Sequence, residues 1–213
     1  GTKIQNELSK SIEVGANVRF LNNRAGIDLT WYKTNTTNQR IQVSVPQGSG
    51  LTYGIINAGD IQNTGIEATL TLTPVRSEKI EWNTQINYTL NRNKVIELTP
   101  LLNQGVYTLT DGGVNNYDMV IREGHPFGEI SAKGFRYLNG SIVVGADGVP
   151  VAGADTVVGN PAPKFILGWN NTVKLGPITL GVLIDGRFGG KVMSVTQAVI
   201  DRFGASQATA DAR

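Results

Sequence analysis

From Ile12 to Phe20 the chain alternates strictly. Ile12, Val14, Ala16, Val18 and Phe20 share one face, and Glu13, Gly15, Asn17 and Arg19 share the other. A period of two is that of a β-strand with one apolar face. Leu21-Asn22-Asn23-Arg24-Ala25 follows as a tight turn, its tandem Asn suited to positive φ. Ile27, Leu29 and Trp31 then resume opposite Asp28, Thr30 and Tyr32. Ile66, Ala68, Leu70 and Leu72 face away from Glu67, Thr69 and Thr71. Beyond a turn at 74–79, Ile80, Trp82, Thr84, Ile86, Tyr88 and Leu90 oppose Glu81, Asn83, Gln85, Asn87 and Thr89. A last hairpin carries Phe165, Leu167 and Trp169, turns at Leu175-Gly176-Pro177, and returns through Ile178, Leu180, Val182, Ile184 and Phe188. Helical spacing occurs only late, at Val195, Ala198, Val199 and Phe203, a short stretch expected within a loop. The predicted class is all-β and antiparallel.

Strand length separates two β architectures. Ordinary strands have a mode near ~5–6 residues, whereas a membrane-crossing barrel strand needs about 9–11. The patterns here fit the longer class, with a polar face suited to a watery lumen and an apolar face suited to lipid. Trp82 and Tyr88, six positions apart on the apolar face, stand about 20 Å apart at ~3.3 Å per residue, near the height of an apolar band between aromatic girdles. The alternative is a β-sandwich whose apolar faces meet in a core. Barrel sidedness would put the short turns at 21–25, 74–79 and 174–177 on the periplasmic side and the segments 47–62, 99–163 and 191–213 outside the cell. Strand parity lets 99–163 cross zero or two times. Its turn-rich tracts, Asp111-Gly112-Gly113, Asn139-Gly140 and Gly145-Ala146-Asp147-Gly148, favour zero and one large extracellular excursion. Six strands fall short of the minimum of about eight for a closed bacterial barrel, so the chain reads over 1–213 as part of a larger one.

Composition narrows the chemistry. A net charge of +2 gives no argument for nucleic acid, which needs a clustered basic surface. With no cysteine and one histidine, disulfides, Cys zinc sites and His metal clusters are excluded and a Ser-His-Asp triad is disfavoured. No metal, other cofactor or enzyme activity is expected of the chain. His125, between Gly124 and Pro126, reads as a turn residue without a visible oriented partner. Gly145–Pro150 lacks the alternating oxygen ligands of a calcium loop and reads as a plain turn. Tyr53, Tyr107 and Tyr117 lie in polar Gly- and Asn-rich loops, where a sugar or peptide could stack; they are the candidate substrate-binding residues, against the plainer role of loop anchors.

Several runs carry a family likeness. Lys10-Ser11-Ile12-Glu13-Val14-Gly15 and Asn57-Ala58-Gly59-Asp60 followed by Asn63-Thr64-Gly65-Ile66-Glu67 resemble motifs in the C-terminal barrel region of TonB-dependent transporters. Gly124-His125-Pro126-Phe127-Gly128, Gly159-Asn160-Pro161-Ala162-Pro163-Lys164-Phe165 and Leu183 to Gly190 are similar to segments of the SusC/RagA-like subfamily. The resemblance implies an outer-membrane barrel of about 22 strands plugged by an N-terminal domain. It also implies import of glycans or peptides, drive from TonB, and a SusD-like surface lipoprotein as partner. The plug, the TonB box and the terminal strands are not found in these 213 residues. A secreted carbohydrate-binding sandwich, or a barrel serving secretion or assembly, are the alternative functions.

Overall fold

The structure is a computed structural model and describes residues 3–43, 53–100, 106–111 and 117–211. Six strands form one antiparallel sheet: β1 (Leu8–Phe20), β2 (Ala25–Val43), β3 (Gly54–Arg76), β4 (Ile80–Leu98), β11 (Phe165–Leu175) and β12 (Ile178–Phe188), in the order β1-β2-β3-β4-β11-β12. These are the six strands expected from the alternation. β4 pairs directly with β11, from Leu175 opposite Ile80 to Ile166 opposite Thr89. The intervening segment therefore contributes no strand to this sheet, as its turn-rich sequence predicts.

The three short connections lie at one end, hereafter the turn end. Leu21, Asn22 and Asn23 all take positive φ, at 53°, 53° and 63°, and the Arg24 N–H closes on the Leu21 carbonyl at 3.1 Å. Arg24 also reaches across to β3, its Nε donating to the Thr73 carbonyl and its Nη2 to that of Pro74. There the β3–β4 register shifts between Leu72 and Val75, a bulge that accommodates the proline.

The registers turn the sequence alternation into continuous rows across the sheet. One row of the apolar face runs Val18, Ile27, Leu70, Ile86, Trp169, Ile184; the next toward the opposite end runs Ala16, Leu29, Ala68, Tyr88, Leu167, Gly186. Among the described residues no second sheet covers this face: Val14 is 65% exposed and Val182 56%. An apolar face left open over six strands cannot be a sandwich core, which sets that architecture aside. Near the loop end of this face Phe165 stacks on Phe188, with ring centroids 4.7 Å apart, and Tyr88 tilts against Phe165 at 5.6 Å.

Between the turn end and the row of Val14, Trp31, Ile66 and Leu90, two polar side chains interrupt the apolar band, and both are hydrogen-bonded. Asn171 and Thr84 are cross-strand neighbours. Trp82 Nε1 donates to Asn171 Oδ1 at 3.2 Å, and Trp169 Nε1 donates to Thr84 Oγ1 at 2.9 Å. Asn171→Leu leaves the Trp82 indole without its acceptor and is expected to destabilise the full-length protein by about 1–3 kcal/mol. Adding Trp82→Phe removes the stranded donor, so the double variant should recover part of that loss. Thermal unfolding of the single and double variants measures the difference.

The strands outrun the sequence expectation at the other end. β2, β3 and β4 span 19, 23 and 19 residues, about twice a ~9–11-residue crossing. The loop expected at 47–62 is corrected: residues 54–62 are strand, and 47–52 lie outside the described residues. Here Asn57 binds its neighbours sideways, accepting from Gln5 N and donating to the Gln5 and Asn38 carbonyls. Side chains that serve such links need not alternate in polarity, so the period-two signal fades although the ladder continues.

The long excursion folds as a second antiparallel sheet, β5 (Val106–Asp111), β6 (Tyr117–Arg122), β7 (Glu129–Phe135) and β10 (Ala152–Gly159), in the order β10-β7-β6-β5. A hairpin of β8 (Tyr137–Leu138) and β9 (Ser141–Ile142) projects from it through Asn139 and Gly140, both at positive φ. The expected turn at Gly145–Gly148 is present: Gly148 N–H bonds the Gly145 carbonyl at 3.0 Å, and Asp147 Oδ1 accepts from Val149 N–H at 3.1 Å. Gly112 and Gly113 of the other expected turn lie outside the described residues. The main buried cluster lies where this sheet meets β3 and β4, formed by Ala58, Val95, Leu98 and Ile121 with Ile41, Tyr107 and Phe127 packed against it. After β12 come two short helices, α1 (Val195–Arg202), capped by Ser194 Oγ, and α2 (Gln207–Asp211).

Candidate functional site

The polar face of the large sheet is a hydrogen-bonded surface of short amides, hydroxyls and carboxylates. Asn17 Nδ2 donates to Asp28 Oδ2 at 2.7 Å. Asn87 Oδ1 accepts from both Thr69 Oγ1 and Gln85 Nε2, and Asn83 accepts from Thr73 while donating to Glu81. Asn91 and Asn93 both donate to Asn63 Oδ1, at 3.0 and 2.9 Å. The strands dictate this clustering, since residues two apart share a face and cross-strand partners stand about 5 Å apart. Gly65 shows how closely the face is packed. A Cβ there would lie 2.4 Å from the Tyr32 ring and 2.5 Å from the Leu90 carbonyl, so the ring occupies the space a side chain would need. Such a face can solvate a polar solute without holding it by a single strong charge.

At the loop end, three of the quoted sequence runs meet in space. Phe127 N–H donates to Asn93 Oδ1 on β4 at 3.1 Å. Asn160 Nδ2 donates to the Phe127 carbonyl at 3.1 Å, its Oδ1 accepts from Ala162 N–H, and its own carbonyl accepts from Lys191 N–H at 2.9 Å. Gly190 completes the junction with φ of 81° and a would-be Cβ 2.8 Å from the Pro161 carbonyl, a position only glycine fills without strain. The junction ties the second sheet to the start of β11 and the end of β12, around an open cavity of about 520 Å³.

His125 has the partners that its sequence context does not reveal. Arg122 donates to Glu129 Oε2 through Nε at 2.9 Å and Nη2 at 2.5 Å, and Nη2 also lies 3.1 Å from His125 Nδ1. Glu129 is buried, and His125 Nδ1 is 3.5 Å from its Oε1. The turn is fixed to β4 by two backbone bonds, Val95 N–H to the His125 carbonyl and Gly124 N–H to the Val95 carbonyl. The cluster closes a turn and anchors it to the wall. The sequence carries no signal for it, because on a turn the spacing of Arg122, His125 and Glu129 has no fixed meaning.

The three candidate tyrosines stand on different elements. Tyr53 is exposed just before β3. Tyr117 begins β6 opposite Ala132 of β7. Tyr107, on β5, packs against the buried cluster and donates its hydroxyl to the Gln42 carbonyl on β2, so it fastens the second sheet to the wall. Among the described residues no group of three His, Cys, Asp or Glu side chains could hold a metal ion, and no helix is long and apolar enough to cross a membrane.

Comparison with known proteins agrees with this architecture. The profile of the family described as "TonB dependent receptor-like, beta-barrel" matches residues 1–176. TonB-dependent receptor P3 of Formosa agariphila is 22% identical over 96% of this chain and 22% of its own length. TonB-dependent receptor P26 of the same organism is 24% identical over 89% of the chain and 21% of its own. The chain thus spans about a fifth of the length of the curated relatives it matches. The solved RagAB peptide transporter superposes with a TM-score of 0.67 at 19% identity, over 84% of this chain and 21% of that one. The RagAB peptide importer in its "closed-closed" state gives 0.66 over the same shares. With an open apolar face, a polar face of linked amides and long strands joined by short turns at one end only, the chain belongs to the TonB-dependent receptor-like β-barrel family of the bacterial outer membrane.

Proposed function

We propose that this chain forms part of the barrel wall and an outer-loop layer of a TonB-dependent, SusC-like importer that brings glycans or peptides across the outer membrane. The observation that carries the reading is the division of labour in the fold. One sheet has a lipid-compatible face and a polar face, and a separate sheet is fastened over its loop end. β1 and β12 each present an open edge to further barrel strands, because an unpaired edge in a bilayer leaves backbone groups unsatisfied. The remaining strands and a plug domain are assigned to the longer protein. TonB energises the import, and a SusD-like surface lipoprotein covers the outer opening. Tyr53 and Tyr117 are the tyrosines proposed to contact substrate, since the hydroxyl of Tyr107 is committed to the wall.

Import driven by TonB has a direct test. A strain expressing the full-length transporter should accumulate labelled oligopeptides or oligosaccharides, and the same strain without TonB should not. Equal accumulation in both strains would contradict the reading and point to a passive pore.

A further inference from the structure

The outward face of the wall changes character abruptly at its loop end. The last wholly apolar row across β1–β4 is Val14, Trp31, Ile66, Leu90. The next row is Ile12, Lys33, Thr64, Arg92, and the one after is Lys10, Asn35, Gln62, Lys94. The register is unbroken through these rows, so all four cations stand on the same face as the apolar band, immediately above it. Neither row contains an acid. The neutral positions in the second row are bonded to each other, Gln62 Nε2 donating to Asn35 Oδ1 at 2.8 Å, and present an uncharged polar bridge between Lys10 and Lys94. Among the described residues none of the four cations is in an ion pair. At about 4.8 Å between strands and ~6.6 Å between alternate residues, they occupy a patch of roughly 15 by 7 Å.

We propose that this patch binds the phosphate groups of an anionic lipid in the outer leaflet. The band below it accommodates acyl chains and the cations meet the headgroup, a geometry in which long Lys and Arg side chains keep their stems on apolar surface while their charges reach the phosphates. Carboxylate-bearing solutes in the lumen are disfavoured as ligands because the polar face, across the wall, is where such solutes would run. The inference rests on the outer-membrane placement of the apolar face.

The test uses the full-length transporter reconstituted in nanodiscs, with lipid retention read by native mass spectrometry. The probes are bisphosphorylated lipid A, the same lipid dephosphorylated, and inorganic phosphate as competitor. The wild type should retain the phosphorylated lipid preferentially, and an excess of inorganic phosphate should not displace it. The combined variant Lys10→Gln, Lys33→Gln, Arg92→Gln, Lys94→Gln should lose retention by at least about a hundredfold, each charge contributing roughly fivefold. The charge-retaining set Lys10→Arg, Lys33→Arg, Arg92→Lys, Lys94→Arg should retain it, which separates lost charge from lost fold. Equal retention by the Gln variant, or equal retention of dephosphorylated lipid by the wild type, overturns the proposal while leaving the membrane placement intact. Displacement by inorganic phosphate also overturns it, in favour of a free-anion site. If the wild type associates with neither lipid, the placement of the apolar face fails as well.

Discussion

Replacing Ile86 by arginine in the full-length transporter is expected to cost about 2–4 kcal/mol, while arginine at Gln85 is expected to be nearly neutral. The two residues are adjacent on β4 but face opposite ways. Ile86 lies mid-row between Leu70 and Trp169 on the outward face, well inside the apolar band. A guanidinium there has no acid in its row and must thin the bilayer or draw water in. Gln85 lies between Thr71 and Asn170 on the polar face and already donates to Asn87. That row also carries Arg19 on β1, so the face accommodates a guanidinium. Urea titration of the assembled protein in lipid vesicles distinguishes the two variants. Equal tolerance would mean that both faces of β4 see water.

The second large effect concerns the excursion between β4 and β11. Deleting residues 106–158 and closing the gap with a flexible linker should leave the barrel assembled and abolish uptake. Assembly survives because the β4–β11 ladder, from Ile80 with Leu175 to Thr89 with Ile166, makes no use of the deleted residues. Uptake is lost because the sheet over the loop end is removed, and with Phe127 gone Asn93 and Asn160 lose their shared junction partner. The deletion also uncovers Ala58, Val95 and Leu98, so the outer ends of β3 and β4 should fray and exchange amide hydrogens faster. Surface protease protection and folded-barrel migration report assembly; labelled-substrate accumulation reports uptake. A variant that fails to assemble would make the segment a structural part of the wall.

How much of this was legible in the sequence follows from where alternation is physically enforced. Between the turn end and the last apolar row, each residue meets either lipid or water, and Ile80 to Leu90 advertises the result in a single strand. The turns at 21–24 and 176–177 were equally plain, because Asn22, Asn23 and Gly176 are residue types that tolerate positive φ. Beyond the last apolar row the enforcement stops. Residues 54–62 are strand but carry Asn57, Ala58 and Asp60, whose partners are a neighbouring segment, a second sheet and a backbone N–H. The short strands of the second sheet bury Glu129 behind Arg122, which inverts the pattern that would reveal them. The junction at Asn93, Phe127, Asn160 and Lys191 joins positions far apart in the chain. Phe127 and Asn160 stand in runs that resemble family motifs, but nothing in the spacing of the four residues says that they touch. The tyrosines illustrate the same limit: Tyr107 and Tyr117 look alike in sequence, and only the fold commits one of them to the Gln42 carbonyl.

The central claim is that the six-stranded sheet stands in the bilayer with its apolar face outward. The chain contains no cysteine, so single cysteines placed in turn at 81 to 90 of an otherwise cysteine-free full-length transporter probe β4 without ambiguity. Each is labelled with a fluorophore and tested with a quencher dissolved in lipid and with one dissolved in water. Positions 82, 84, 86, 88 and 90 should be quenched from the lipid and positions 81, 83, 85, 87 and 89 from water, in strict alternation. Uniform quenching from water along the whole strand, or alternation in the opposite phase, would contradict the account.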